Sequence, residues 1–201
     1  MKHWIKFQQE WIHNNYIQFK DHDKYLILMY LISKTWQNTS NLFKFYSIDE
    51  YYSQNEINLP NISLSEISIN LDIPKETIRR KLMELEKKSI IKRNGQKIIL
   101  AQLALSLQKP KNSIKTLSIF FEKLSILLST QDWFGPSIRR EDVEIYFNKY
   151  YTVFWNRYFK FQIPFLTRWK SVFGDLESWM IWGNIGINQS INFEKISQDL
   201  N

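Results

Sequence analysis

The sequence predicts a mainly α-helical chain in two parts. The first part is helical and ends in a small β-hairpin. The second is all-α and rich in aromatic residues. Three observations predict this. Apolar residues recur at helical spacing across residues 4–19 and 64–85. An Asn-Gly pair at 94 and 95 stands between two short β-prone runs, the strongest short-range hairpin signal. Residues 133–182 carry 16 of the chain's 32 aromatic side chains.

Composition sets the bounds. A chain of 201 residues suits one domain or two small ones, and 44% apolar residues suffice for a core. The absence of cysteine excludes a disulfide scaffold and a thiolate zinc site. His3, His13 and His22 read as surface helix residues rather than metal ligands. The N-terminal run "MKHWIKFQQEWIHNNY" has no signal-peptide core. The longest apolar run, "YLILMYLI" at residues 25–32, falls well short of the roughly 20 residues that span a bilayer. The expectation is a soluble, cytoplasmic protein that does not enter a membrane.

The elements follow in order. Trp4, Phe7, Trp11 and Ile12 give residues 4–19 an amphipathic helix. Asp21 and Asp23 supply N-cap chemistry for a buried helix over residues 24–36. The polar, turn-rich residues 37–61 read as a long connection. Ser63 caps a short helix over residues 64–70, with Glu66 completing a capping box. Pro74 cannot continue that helix but suits the first turn of a new one. Ile78, Leu82 and Leu85 then form one apolar stripe, leaving Arg79 and Arg80 outside it. Residues 89–93 and 96–100 are the two strands of the hairpin. Residues 108–112 read as a linker and 114–130 as an apolar helix. Gly135 and Pro136 make a turn. Ser137 caps a helix over about 138–161, and Pro164 interrupts or ends it. Two further helices cover about 165–173 and 175–183, with Asp175 as an N-cap and Glu177 in the first turn.

Charge is uneven. The net charge of the chain is +7, and residues 75–97 contribute +6 of it through nine basic and three acidic residues. Such a patch on a nearly neutral remainder points to an acidic partner. A solvated helix face is the plainer account of any charge run.

Helix, tight turn, basic helix, strand, Asn-Gly turn, strand is the order of a winged helix-turn-helix. The run "IPKETIRRKLMELEKKSIIKRNGQKIIL" resembles bacterial transcription regulators of that family, those related to the catabolite activator and to the multiple-antibiotic-resistance repressor. In the first group a small residue is often followed by "RETVxRxLxxLExxGLI". Here the corresponding residues are Pro74, then Lys75 to Leu82, then Leu85, Glu86 and "SII". The likeness covers about a fifth of the chain. It departs at Pro74, where the family often has a capping hydroxyl.

The resemblance implies sequence-specific binding of double-stranded DNA, with residues 75–88 in the major groove. Lys75, Glu76 and Arg80 would then face base edges. Thr77, Arg79 and Lys81 would face phosphates. The wing residues Lys92, Arg93, Asn94, Gln96 and Lys97 would touch the backbone. It also implies a homodimer on paired half-sites. A protein-interaction module is the competing use of such a domain.

In the C-terminal part, Val143, Phe147, Tyr150, Phe154 and Phe161 approximate one helical stripe, with Tyr151, Trp155 and Tyr158 beside it. A helical core accounts for this. An arc that wide also suits a dimer interface or a small-molecule effector pocket, lined by Phe147, Tyr151, Phe154, Trp155, Tyr158, Trp169, Trp179 and Trp182. Nothing suggests an enzyme or a cofactor. There is no Gly-rich phosphate loop, no cysteine nucleophile and no histidine beyond residue 22. The expected organisation is an N-terminal helix (1–19), a winged helix-turn-helix domain (20–107), a helical domain (112–190) and a tail (191–201).

Overall fold

The computed structural model describes residues 2–41, 45–59, 61–94, 97–107, 110, 113–131, 133 and 135–199. Among them are ten helices and one three-stranded antiparallel sheet, so the mainly α expectation holds. No described helix is long and apolar enough to cross a membrane.

The chain is organised around its second helix. Helix α1 (Lys2–Phe19) leads into α2 (His22–Asn41). Asp21 caps α2 as expected, its Oδ1 accepting from the Lys24 backbone N–H at 3.0 Å. Every residue from 25 to 32 is buried. A helix apolar on all sides needs partners all round. Helices α1, α4, α5 and α9 supply them.

The described residues of 37–61 form more than a connection. Helix α2 runs on to Asn41, and α3 (Ile48–Tyr52) follows, closed by a full capping box between Ser47 and Glu50. Glu56–Asn58 forms strand β1. Three residues with one apolar side chain, the half-buried Ile57, are too short a run for alternation to be read, which is why the strand escapes sequence analysis.

Helix α4 (Leu64–Leu71) starts at Ser63, whose hydroxyl accepts from the Glu66 N–H at 3.0 Å. The expected capping box is half made. The Glu66 carboxylate turns instead to the Tyr30 hydroxyl at 2.9 Å and to Lys34 at 2.7 Å, tying α4 to α2. Asp72 ends the helix in the left-handed region at φ 51°, Ile73 plugs the core, and Pro74 precedes α5 (Lys75–Lys87). Strands β2 (Ile91–Asn94) and β3 (Lys97–Ala101) pair from Ile91 with Leu100 to Asn94 with Lys97. Gly95 and Gln96, the tip between them, lie outside the described residues. Strand β1 pairs with the other edge of β3, so the order is β1-β3-β2.

Helices α6 (Gln102–Leu107) and α7 (Ser113–Thr130) follow, and of the expected linker only Pro110 is described. The single helix expected over 138–161 is two, α8 (Arg140–Lys149) and α9 (Tyr151–Phe173), broken at Tyr150. Ser137 does not cap α8. The N-cap position falls on Arg139, and Glu122 of α7 takes the capping role by accepting from the Arg140 N–H at 2.9 Å. Pro164 neither ends nor interrupts α9. A proline inside a helix costs about 3 kcal/mol, and burial of Ile163 and Leu166 beside it offsets this loss. Helix α10 (Leu176–Asp199) is much longer than expected and takes in most of the expected tail. Asp175 caps it by accepting from the Ser178 N–H at 2.6 Å.

Buried apolar residues from both parts belong to one cluster. Helix α9 lies along α2, and α10 along α1. At Gly183, where α10 packs on α1, a Cβ would displace the Gln9 side-chain amide. That amide donates to the Met180 carbonyl at 3.1 Å.

Candidate nucleic-acid interface

Helix α5 is built with two opposite faces. Ile78, Leu82 and Leu85 are almost fully buried and fix it against α2 and α4. At 3.6 residues per turn, Glu76, Arg80, Met83 and Lys87 share an arc of about 60° on the opposite side. Glu76, Arg80, Met83 and Lys87 are all exposed. Lys75 and Arg79 are exposed to one side of that arc, and Thr77 is half-buried.

Ion pairs decide which cations of the patch are available. Lys81 is only 14% exposed and is held on Asp21, away from the outward face. Arg79 grips both oxygens of Glu76, at 3.0 and 3.2 Å. Lys92 pairs with Glu56 of β1, and Arg93 donates to Glu86 at 2.7 Å. Lys24 of α2 holds Glu84. Lys75, Arg80, Lys87, Lys88 and Lys97 make no ion pair among the described residues. Asn94 and Lys97 are exposed on the hairpin, whereas Gln96 is not described. Sequence reasoning named Lys75, Arg80 and Lys97 but missed Met83, Lys87 and Lys88. A full helical wheel through residue 87 would have found Met83 and Lys87.

The pairs leave their mark on the carboxylates. Burial works against ionisation of Asp21, yet hydrogen bonds from Lys81 and from the Lys24 N–H outweigh it and lower its pKa. Glu84 is lowered by Lys24, and Glu86 by Arg93. These acids stay charged and keep α5 and β2 pinned to their neighbours.

The aromatic set behaves differently. Phe147, Tyr151, Trp155, Tyr158 and Trp179 are buried, Phe154 and Trp169 half-buried, and Trp182 is 51% exposed. Tyr151, Trp155 and Tyr158 meet rings from the first part of the chain, and the other five meet rings of the second part. Trp155 lies 5.0 Å from Trp11, Tyr151 lies 5.4 Å from Tyr51, and the Tyr52 and Tyr151 hydroxyls bond at 2.7 Å. The cavity beside Tyr151 and Trp155 holds about 10 Å³, room for a single water. An organic ligand needs several hundred Å³. The helical-core account therefore fits most of the set. Phe165, Trp169, Phe173 and Trp182 form a row of touching rings nearer the surface, of which Trp169 and Trp182 stack.

His22 corrects the surface expectation. It is 7% exposed at the start of α2, in a polar cleft with Tyr16, Lys170 and Glu177. Its Nε2 is 3.4 Å from Glu177. Burial lowers its pKa against the pull of Glu177, Asp21, Asp23 and Asp175. Lys170 holds Asp23 at 2.6 Å in the same cleft. Among the described residues, no three His, Asp or Glu side chains gather as a cation site.

Comparison of the chain with protein-family models, with curated proteins and with solved structures finds no match.

Proposed function

We propose that α4, α5 and the β2–β3 hairpin form a winged helix-turn-helix that binds double-stranded DNA, as a sequence-specific transcription regulator. The observation that carries this reading is the outward side of α5. It presents exposed cations that no acid among the described residues pairs with, while the opposite stripe locks the helix to the core. A helix of this diameter fits the major groove of B-DNA. In this reading Lys75 and Arg80 reach base edges, and Lys87, Lys88 and Lys97 reach phosphates. Arg79, Lys92 and Arg93 must first leave their acids or bring them along, so they contribute less than their number suggests. Lys81 serves to anchor the helix.

The test is the salt dependence of binding to a random duplex, followed by selection of preferred sites. A log–log slope of several units and an enriched motif support the reading. Binding that is flat in salt, with no enriched motif, refutes it. Sedimentation of the complex then counts the copies on each site and tests the homodimer.

A further inference from the structure

The outward arc of α5 contains one residue that electrostatic attraction to phosphate does not explain. Met83 is 55% exposed and stands between Arg80 and Lys87 on the face opposite the buried stripe. It is the one exposed large apolar side chain of α5. It lines an open groove with Arg80, Glu84, Glu86, Lys87 and Arg93, where α5 meets β2. Ile69 of α4 is more exposed still, so position and not exposure sets Met83 apart. Met83 sits at the centre of the face that the charged residues define. An unbranched, polarisable side chain fits an irregular apolar contact there.

Resting on the DNA-binding reading, we infer that Met83 reads the C5-methyl group of a thymine in the major groove. That methyl is the one apolar feature that the base pairs display in the groove. A phosphate, a guanine edge or an exposed cytosine amine offers a thioether side chain nothing comparable. Three residues of helix separate Met83 from Arg80, an axial rise of about 4.5 Å. Successive base pairs rise about 3.4 Å. The thymine therefore lies within one or two base pairs of the base that Arg80 contacts.

The experiment uses the full chain and its selected duplex, scanned one position at a time with deoxyuridine in place of thymidine. This change removes a methyl and leaves every hydrogen-bonding group in place. The expected result is one position where wild-type affinity falls about fourfold, the worth of one buried methyl. In Met83→Ala that sensitivity disappears, and in Met83→Leu part of it remains. Because Met83 is exposed, both variants should keep the wild-type melting temperature, which is measured alongside. Salt-dependent binding with a flat scan, or the same fourfold loss in Met83→Ala, overturns the assignment but leaves the DNA reading standing. Wild-type protein that binds no duplex in a salt-dependent way overturns both.

Discussion

Helices α5 and α9 are the two most biased stretches of this chain, and they resolve in opposite ways. Helix α5 concentrates cations and leaves most of them in solvent. Helix α9 concentrates nine aromatic rings, buries four of them, half-buries four and leaves only Phe161 exposed. Both look like sites in the sequence. Pairing separates them in the fold. Every ring of α9 has a ring partner within 6.5 Å, whereas five cations in and beside α5 pair with no acid among the described residues. A crowded composition marks a function only where the rest of the chain leaves it unsatisfied.

Breaking the buried side gives the largest effect. Trp155→Ala should destabilise the fold by about 3–5 kcal/mol, because it empties a ring-sized volume at the centre of the core. Urea denaturation measures this. A loss under 1 kcal/mol would mean that Trp155 packs loosely and that the aromatic region has room for a ligand. Breaking the exposed side moves affinity instead. Arg80→Ala should cost about 1–3 kcal/mol at one base pair and relax preference there, with the melting temperature unchanged. Unaltered affinity and preference would remove Arg80 from the interface.

Two lysines sharpen the comparison further. Lys97→Ala should weaken all duplexes alike and flatten the salt slope by about one unit. Lys81→Ala should leave that slope intact and cost about 1–2 kcal/mol of stability, because Asp21 loses its main partner while partly buried. If the two variants exchanged these phenotypes, the division into free and pinned cations would be wrong.

The smallest effect is a pH slope. Burial lowers the His22 pKa, so the unfolded chain takes up a proton first as pH falls. Stability should therefore fall as pH drops below the ordinary histidine value of 6.5, by at most ~1.4 kcal/mol per pH unit for one proton. His22→Gln should flatten that slope. Asp21, Glu84 and Glu86, lowered by their cations, contribute stability that is present above the ordinary carboxylate range and lost as pH falls through it. This acid limb should persist in His22→Gln. An unchanged slope near pH 6 in that variant would exclude His22 as its source.

Much of the architecture was legible in the chain itself. The buried helix α2, the Ser63 cap, the break at Pro74, the stripe of α5 and the pairing of residues around Asn-Gly all follow from local rules. What was missed depends on distant residues. Strand β1 exists because β3 has a free edge. Helix α8 starts where Glu122 of another helix accepts its first N–H. Helix α9 passes through Pro164 because flanking side chains are buried. The candidate interface was half legible. Lys75, Arg80 and Lys97 could be named from the pattern, but the pairing of Lys81 with Asp21 is a contact between α5 and the loop before α2.

The contact of Trp11 with Trp155 has an optical consequence. The two indoles sit 5.0 Å apart at an angle of 31°, one on α1 and the other on α9. Rings held at a fixed angle in a dense interior give near-ultraviolet circular dichroism, which vanishes when packing loosens even if helices persist. The signal should thus act as a gauge of whether α1 is docked. Loss of the part of the signal that Trp11→Phe removes, with the rest of the near-ultraviolet band and the far-ultraviolet spectrum intact, would show the N-terminal helix lifting off a body that stays packed.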